Sequence, residues 1–273
     1  MKETISRPIR QHPLVAFYLL AFAITWLGWL PHTLHGYGRF PFDSPLFSLL
    51  GGGGPTLAAL IVVGALRGKD GLRQLFAPLF RWRVPWPSYL FVFLFWFVVA
   101  AAALGLGTLR GQRFPTIPAG VWASLLPTFV MMLISNVWEE IGWRGFALPR
   151  FQERYGDLAI ALIMGLLWSL WHLPLLLDPT SPMSDLPWYG EVVFSVALTV
   201  IYTWLYNRTR RSLLLVTLFH AMSNTIAAAL LAVEVFASSY PIVVGLTALT
   251  AVLIVLICGP RRFARSDRRE GES

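Results

Sequence analysis

The chain has 273 residues, of which 56% are hydrophobic and 13% charged, against roughly 25% charged residues in an ordinary soluble domain. That balance disfavours a water-soluble enzyme, and because each bilayer crossing takes about 20 apolar residues, eight crossings leave room only for short loops. One cysteine, Cys258, permits neither an internal disulfide nor a cysteine-based zinc cluster, and the formal charge of +8 acquires meaning only when the basic residues are placed relative to a membrane.

Apolar runs between charge clusters predict spans near 14–30, 44–66, 88–108, 121–143, 157–177, 190–206, 212–233 and 240–258. The expected fold is all-α: a polytopic bundle of about eight transmembrane helices forming a single integral membrane domain over 1–273. The first span follows Lys2, Arg7 and Arg10, but no small-residue cleavage site follows it, so it reads as an uncleaved span. In the second, Gly51, Gly52, Gly53, Gly54 and Pro55 predict a kink or interruption; no Gly-Lys-Ser/Thr follows, which argues against a phosphate loop. Trp82, Trp86 and Tyr89 flank an Arg-rich loop, where amphipathic rings anchor at the membrane boundary. His12 precedes the first span. His32 and His35 fall in an outer loop without a nearby carboxylate or cysteine and read as solvated.

With a cytoplasmic N-terminus, Lys and Arg number 19 on the inner side and 3 on the outer, the latter being Arg39, Arg110 and Arg113. The positive-inside rule is thereby satisfied with both termini cytoplasmic, and the basic excess reads as a topology signal with no nucleic-acid partner. The tail 261–273, with five Arg, reads as a disordered cytoplasmic strip attracted to anionic lipid head groups. Arg outnumbers Lys by 20 to 2, a bias suggestive of a prokaryotic plasma-membrane protein.

Twelve of the 14 acidic residues are assigned to loops, tails or span ends, whereas Glu139 and Glu140 sit together inside the fourth apolar run. Later spans add His172, His220 and Asn224. A charge near the bilayer centre costs about 2.5–3.5 kcal/mol, and interhelical hydrogen bonds return on average about 0.6 kcal/mol, so helix adhesion alone does not account for the group. Glu140 and Arg144 stand at i and i+4 with the acid first, the favourable order for a same-face ion pair. Glu139 projects about 100° away around the helix and is free for another partner. Trp168 with His172, and His220 with Asn224, also share faces at i and i+4. If the fourth helix continues past Arg144 to about Gln152, with Pro149 near its end, and turns near Arg154, Glu139 and His172 come to depths matched within roughly 4.5 Å; this hairpin is expected to protrude from the cytoplasmic face. Water, Glu139 and His172 would then form an activating unit, with His220 and Asn224 donating to the oxygen of a tetrahedral intermediate. Amide hydrolysis is the chemistry that fits.

The segments WEEIGWRGFALPRF, LLWSLWHLPL and LFHAMSN, in this order, resemble the CPBP family of intramembrane proteases, which includes CAAX prenyl endopeptidases and bacteriocin-processing or self-immunity proteins. The resemblance covers about 121–232, the catalytic core motifs. Its E-E-x-x-x-R falls on Glu139, Glu140 and Arg144, its F-x-x-x-H on Trp168 and His172, and its H-x-x-x-N on His220 and Asn224; Trp168 replaces the usual Phe. The resemblance implies that Glu139 and His172 activate water, that Glu140 and Arg144 support the site, and that His220 and Asn224 bind the oxyanion. Members are also named metalloproteases, and Glu139, His172 and His220 would offer zinc two nitrogens and one oxygen with one position open. No H-E-x-x-H is present, and the resemblance also implies a metal-free glutamate mechanism, which is the one favoured. The expected substrate is a membrane-associated peptide or protein.

Three alternatives compete with this reading. A non-catalytic self-immunity or membrane partner protein would keep the fold and the pocket. Haem ligation by His172 and His220 leaves both glutamates unexplained, and a proton-coupled transporter lacks repeated halves or paired broken helices.

Overall fold

The computed structural model describes residues 9–263, and among these every regular element is helical. The elements are α1 (Pro13–Gly36), α2 (Pro45–Phe76), a 3-10 turn (Ala77–Phe80), α3 (Trp86–Leu109) and α4 (Ala119–Glu140), which passes through a π-helical segment (Ile141–Ala147) into α5 (Leu148–Gln152). They are followed by α6 (Asp157–Trp171), α7 (Leu173–Leu176), α8 (Trp188–Arg208), α9 (Leu213–Ala232) and α10 (Phe236–Cys258). Among the described residues seven helical stretches are long and apolar enough to cross a membrane; this is an integral, multi-pass membrane protein.

The predicted fifth span is the exception to eight full-length crossings. It forms a 15-residue helix and then the single turn α7. Pro174 explains the break: it has no N–H for the preceding turn and disfavours helical geometry in the residue before it, so the chain leaves α6 at His172. At about 1.5 Å per residue, α6 runs roughly 22 Å, short of the roughly 30 Å apolar core of a bilayer. The fourth span does run on to Gln152, as one stretch of 34 residues from Ala119, and the chain turns back before Asp157 with Arg154 N–H donating to Phe151 O (3.0 Å).

The glycine run does not interrupt α2. The helix continues through Gly51–Pro55, and its one non-helical residue is Gly68 (φ 56°, ψ −144°), in the left-handed region that glycine tolerates. Pro55 cannot donate to the carbonyl of Gly51, four residues earlier, but Thr25 Oγ1 on α1 donates to that oxygen instead (2.7 Å). Thr25 Oγ1 in turn accepts from Trp171 Nε1 at the end of α6 (2.8 Å). The glycines make this possible by allowing backbone contact: a Cβ on Gly28 would stand 2.7 Å from Gly51 N, and one on Gly54 would overlap the Thr25 hydroxyl.

Packing of α4 against α9 and α2, and of α6 and α10 against α8, gathers the polar spans around one interior. Gly165 brings α6 onto α8 so closely that a Cβ there would lie 2.6 Å from Val196 Cα, and Gly142 packs directly on Pro55. Two of the acids assigned to loops or span ends are buried. Asp157 is buried, accepting from Gln152 Nε2 (2.9 Å), Asn207 Nδ2 (2.8 Å) and Phe263 N–H (2.8 Å). Asp178 is also buried and lies 3.2 Å from His32 Nε2, whose Nδ1 is 2.9 Å from Asp43. His32 and His35 belong to α1, which runs six residues beyond the predicted span end, and His32 has two carboxylate neighbours. Hydrogen bonding from His32 holds the Asp43 carboxyl below its usual range.

The start of the basic tail is ordered against the hairpin. Arg261 O and Pro260 O accept from the N–H groups of Asp157 and Leu158 (3.1 and 3.0 Å), and the Phe263 side chain is fully buried. Orphan amides at the first turn of α6 and the charge of Asp157 recruit this segment. The rest of the predicted strip, 264–273, lies outside the described residues, as do Lys2 and Arg7.

Candidate active site

The fourth apolar run places its two glutamates on different sides of α4. Glu140 is fully buried, and its Oε1 accepts from Arg144 Nη1 (2.9 Å) and from His220 Nδ1 (2.8 Å). The i to i+4 pairing expected from the sequence therefore exists, and it extends to a histidine on α9. Arg144 lies in the π-helical segment, a wider turn that is frequent at functional sites. Its guanidinium stands 4.7 Å from the ring centre of Trp168 and 4.1 Å from that of Tyr202. Stacking on two ring faces adds attraction for a desolvated cation, worth about 2 kcal/mol per favourable contact.

Glu139 faces the interior cavity, whose volume is about 430 Å³. His172, His220, Asn224 and Trp168 line the same cavity. Trp168 lies between the histidines, with ring centres 5.4 Å from His172 and 5.6 Å from His220, so the aromatic that stands in the Phe position separates the two imidazoles by a fixed distance. Glu139 and His172 share the cavity without a direct hydrogen bond; Glu139 Oε2 is buried with no protein partner among the described residues. His172 instead turns Nδ1 to Oε1 of Glu191 (3.0 Å). Asn224 Nδ2 donates to Asn136 Oδ1 (3.3 Å), one helical turn before Glu140 on α4.

Glu191 and Asn136 were not singled out from the sequence. Glu191 was assigned to a span end, whereas it is buried in the first turn of α8 and accepts a second bond from Ser195 Oγ (2.6 Å). One signal was available: Glu191, Ser195, Thr199 and Thr203 recur every fourth residue, and all four are buried. Such a stripe inside an apolar span marks a face turned away from lipid.

With Nδ1–H donated to a carboxylate, each imidazole keeps Nε2 for other work; the tautomer follows from the hydrogen-bond pattern. Among the described residues no three His, Cys, Asp or Glu side chains stand as a ligand set for a metal ion: His172 and His220 turn to different carboxylates on different helices.

The described residues thus form an integral membrane bundle that brings two glutamates, Glu139 and Glu191, two histidines and an asparagine to one interior cavity. Residues 120–226, which carry all of the site except its contacts with α1 to α3 and α10, match the family described as Rce1-like, type II CAAX prenyl endopeptidase. Over 105 residues the chain is 33% identical to a CAAX prenyl protease 2 of Methanococcus maripaludis, an alignment covering 36% of this chain and 39% of that protein. The similarity to CAAX prenyl proteases is carried by this segment, and the chain spans well under half the length of the curated relative it matches.

Proposed function

We propose that this protein is an intramembrane endopeptidase that cleaves a membrane-associated peptide or protein without a metal. The observation carrying the reading is the convergence of Glu139, His172, His220 and Asn224 on one largely apolar cavity. A water between Glu139 and His172 meets two acceptors, a carboxylate oxygen and the Nε2 lone pair, which orients its oxygen toward a substrate carbonyl. Glu139 takes one proton as the oxygen attacks, then returns it to the departing amide nitrogen; general base catalysis of this kind contributes about 10²–10⁴-fold. The developing oxyanion accepts from Asn224 Nδ2–H and from His220 Nε2–H when that ring carries both protons, and Glu140 with Arg144 fixes His220. Trp29, Trp96, Phe194 and Phe236 in the cavity wall suit an apolar substrate segment, in keeping with the prenylated CAAX substrates named for the relative. The 19 to 3 distribution of basic residues supports a plasma-membrane orientation with both termini cytoplasmic.

The test uses the detergent-purified protein with internally quenched peptides, with and without an S-prenylated cysteine in a C-terminal CAAX sequence. Wild type is expected to cleave with EDTA present, and Glu139→Ala and His172→Ala to fall by at least about 10²-fold. Full cleavage by Glu139→Ala overturns the assignment. Loss of wild-type cleavage in EDTA, restored by zinc, overturns the metal-free mechanism.

A further inference from the structure

Glu191 lies outside the three motifs, yet its carboxylate is 4% exposed, lines the cavity and meets the imidazole that the proposed reaction uses. Its Oε1 accepts from two donors, His172 Nδ1 at 3.0 Å and Ser195 Oγ at 2.6 Å. Ser195 sits one turn further along the same helix, so the carboxylate is tethered to α8 before it meets α6. The contact of Gly165 with Val196 locks the spacing of those helices.

From this geometry we propose that Glu191, tethered by Ser195, is a positioning residue for His172. The inference rests on the reading of His172 as a partner of the attacking water. Glu191 holds the proton of His172 on Nδ1, which leaves the Nε2 lone pair directed at the cavity, and its negative charge balances the imidazolium that forms whenever Nε2 shares the proton of the water. Without the carboxylate either nitrogen can carry the proton, and in the Nε2–H tautomer the ring offers the water a donor where an acceptor is needed. Partners that fix a metal-bound histidine from behind typically matter by about 10–100-fold, and an effect of the same order is expected for this imidazole.

Glu191→Gln conserves size and removes the charge, and Ser195→Ala leaves the carboxylate but frees it from its own helix. On the peptide cleaved by wild type, Glu191→Gln is expected to lower kcat by about 10–100-fold with little change in KM, and Ser195→Ala by a smaller factor. In ¹⁵N-histidine-labelled protein, with the His172 signal assigned by its loss in His172→Gln, wild type should show the Nδ1–H tautomer and Glu191→Gln a shift toward Nε2–H. Wild-type kcat in Glu191→Gln, while Glu139→Ala is inactive, overturns the role of Glu191 alone. A fall in kcat with the His172 tautomer unchanged also overturns it, since that is the result of a merely structural defect. Activity in Glu139→Ala removes the hydrolytic reading and this inference together.

Discussion

Arg144 is 2% exposed, and a buried cation is tolerable only when charge and dipoles surround it. Glu140 supplies the countercharge, and the faces of Trp168 and Tyr202 close the other sides. Removing the guanidinium leaves Glu140 buried with His220 as its remaining charge partner, a change that costs about 3–5 kcal/mol in comparable buried pairs. Lysine restores the charge but not the planar fork or the stacking. We therefore expect Arg144→Ala to lower the unfolding temperature strongly in detergent and Arg144→Lys to fall between it and wild type. Unfolding of Arg144→Ala at the wild-type temperature would show that the pair contributes nothing. At this scale spacing was informative for one pair, since Glu140 with Arg144 followed from it. Glu191 did not, because its partner His172 sits on another helix, and an acid at the start of an apolar run resembles an ordinary interface residue. Asn136 was hidden for the same reason, since its contact with Asn224 crosses from α4 to α9.

The positions of the helices were legible because a bilayer crossing demands a long apolar run. Their irregularities depend on neighbours and were not. Four glycines and a proline predict a broken α2, and in isolation the missing Pro55 N–H would strand the Gly51 carbonyl. Thr25 on α1 supplies that hydrogen bond, and its hydroxyl also receives Trp171 Nε1, one residue before His172. One hydroxyl thus joins α1, α2 and the end of α6, and it steadies the point from which His172 projects. Thr25→Val, nearly identical in shape, leaves a buried carbonyl and a buried indole N–H without this partner. Its expected effect is a destabilisation of about 1–3 kcal/mol, read by thermal unfolding in detergent, together with faster hydrogen exchange around residues 51–55. Unchanged stability and exchange would mean that the helix tolerates Pro55 without help from α1. The truncation of α6 was legible in principle, since Pro174 stands two residues after His172, but an apolar run that continues to Leu177 masked it.

Across the whole molecule, charge and cavity point in opposite directions. The cavity reaches from Glu139 and His220 toward Ser181–Leu186, Phe236 and Tyr240, at the end of the bundle whose connections 178–187 and 233–235 contain no Lys or Arg. The other end of the bundle, with 67–87, 148–156 and 207–211, carries five, two and three. Under the orientation proposed above, with basic loops cytoplasmic, the cavity would occupy the extracytoplasmic half and a substrate segment would reach Glu139 from that side. Asp185 and Arg154 are both exposed and mark the two ends. In a Cys258→Ser background, a cysteine replacing Asp185 is expected to react with a membrane-impermeant maleimide in intact cells, and one replacing Arg154 only after permeabilisation. The opposite pattern would invert the bundle, place the cavity toward the cytoplasm, and show that the 19 to 3 asymmetry does not set the orientation of this fold.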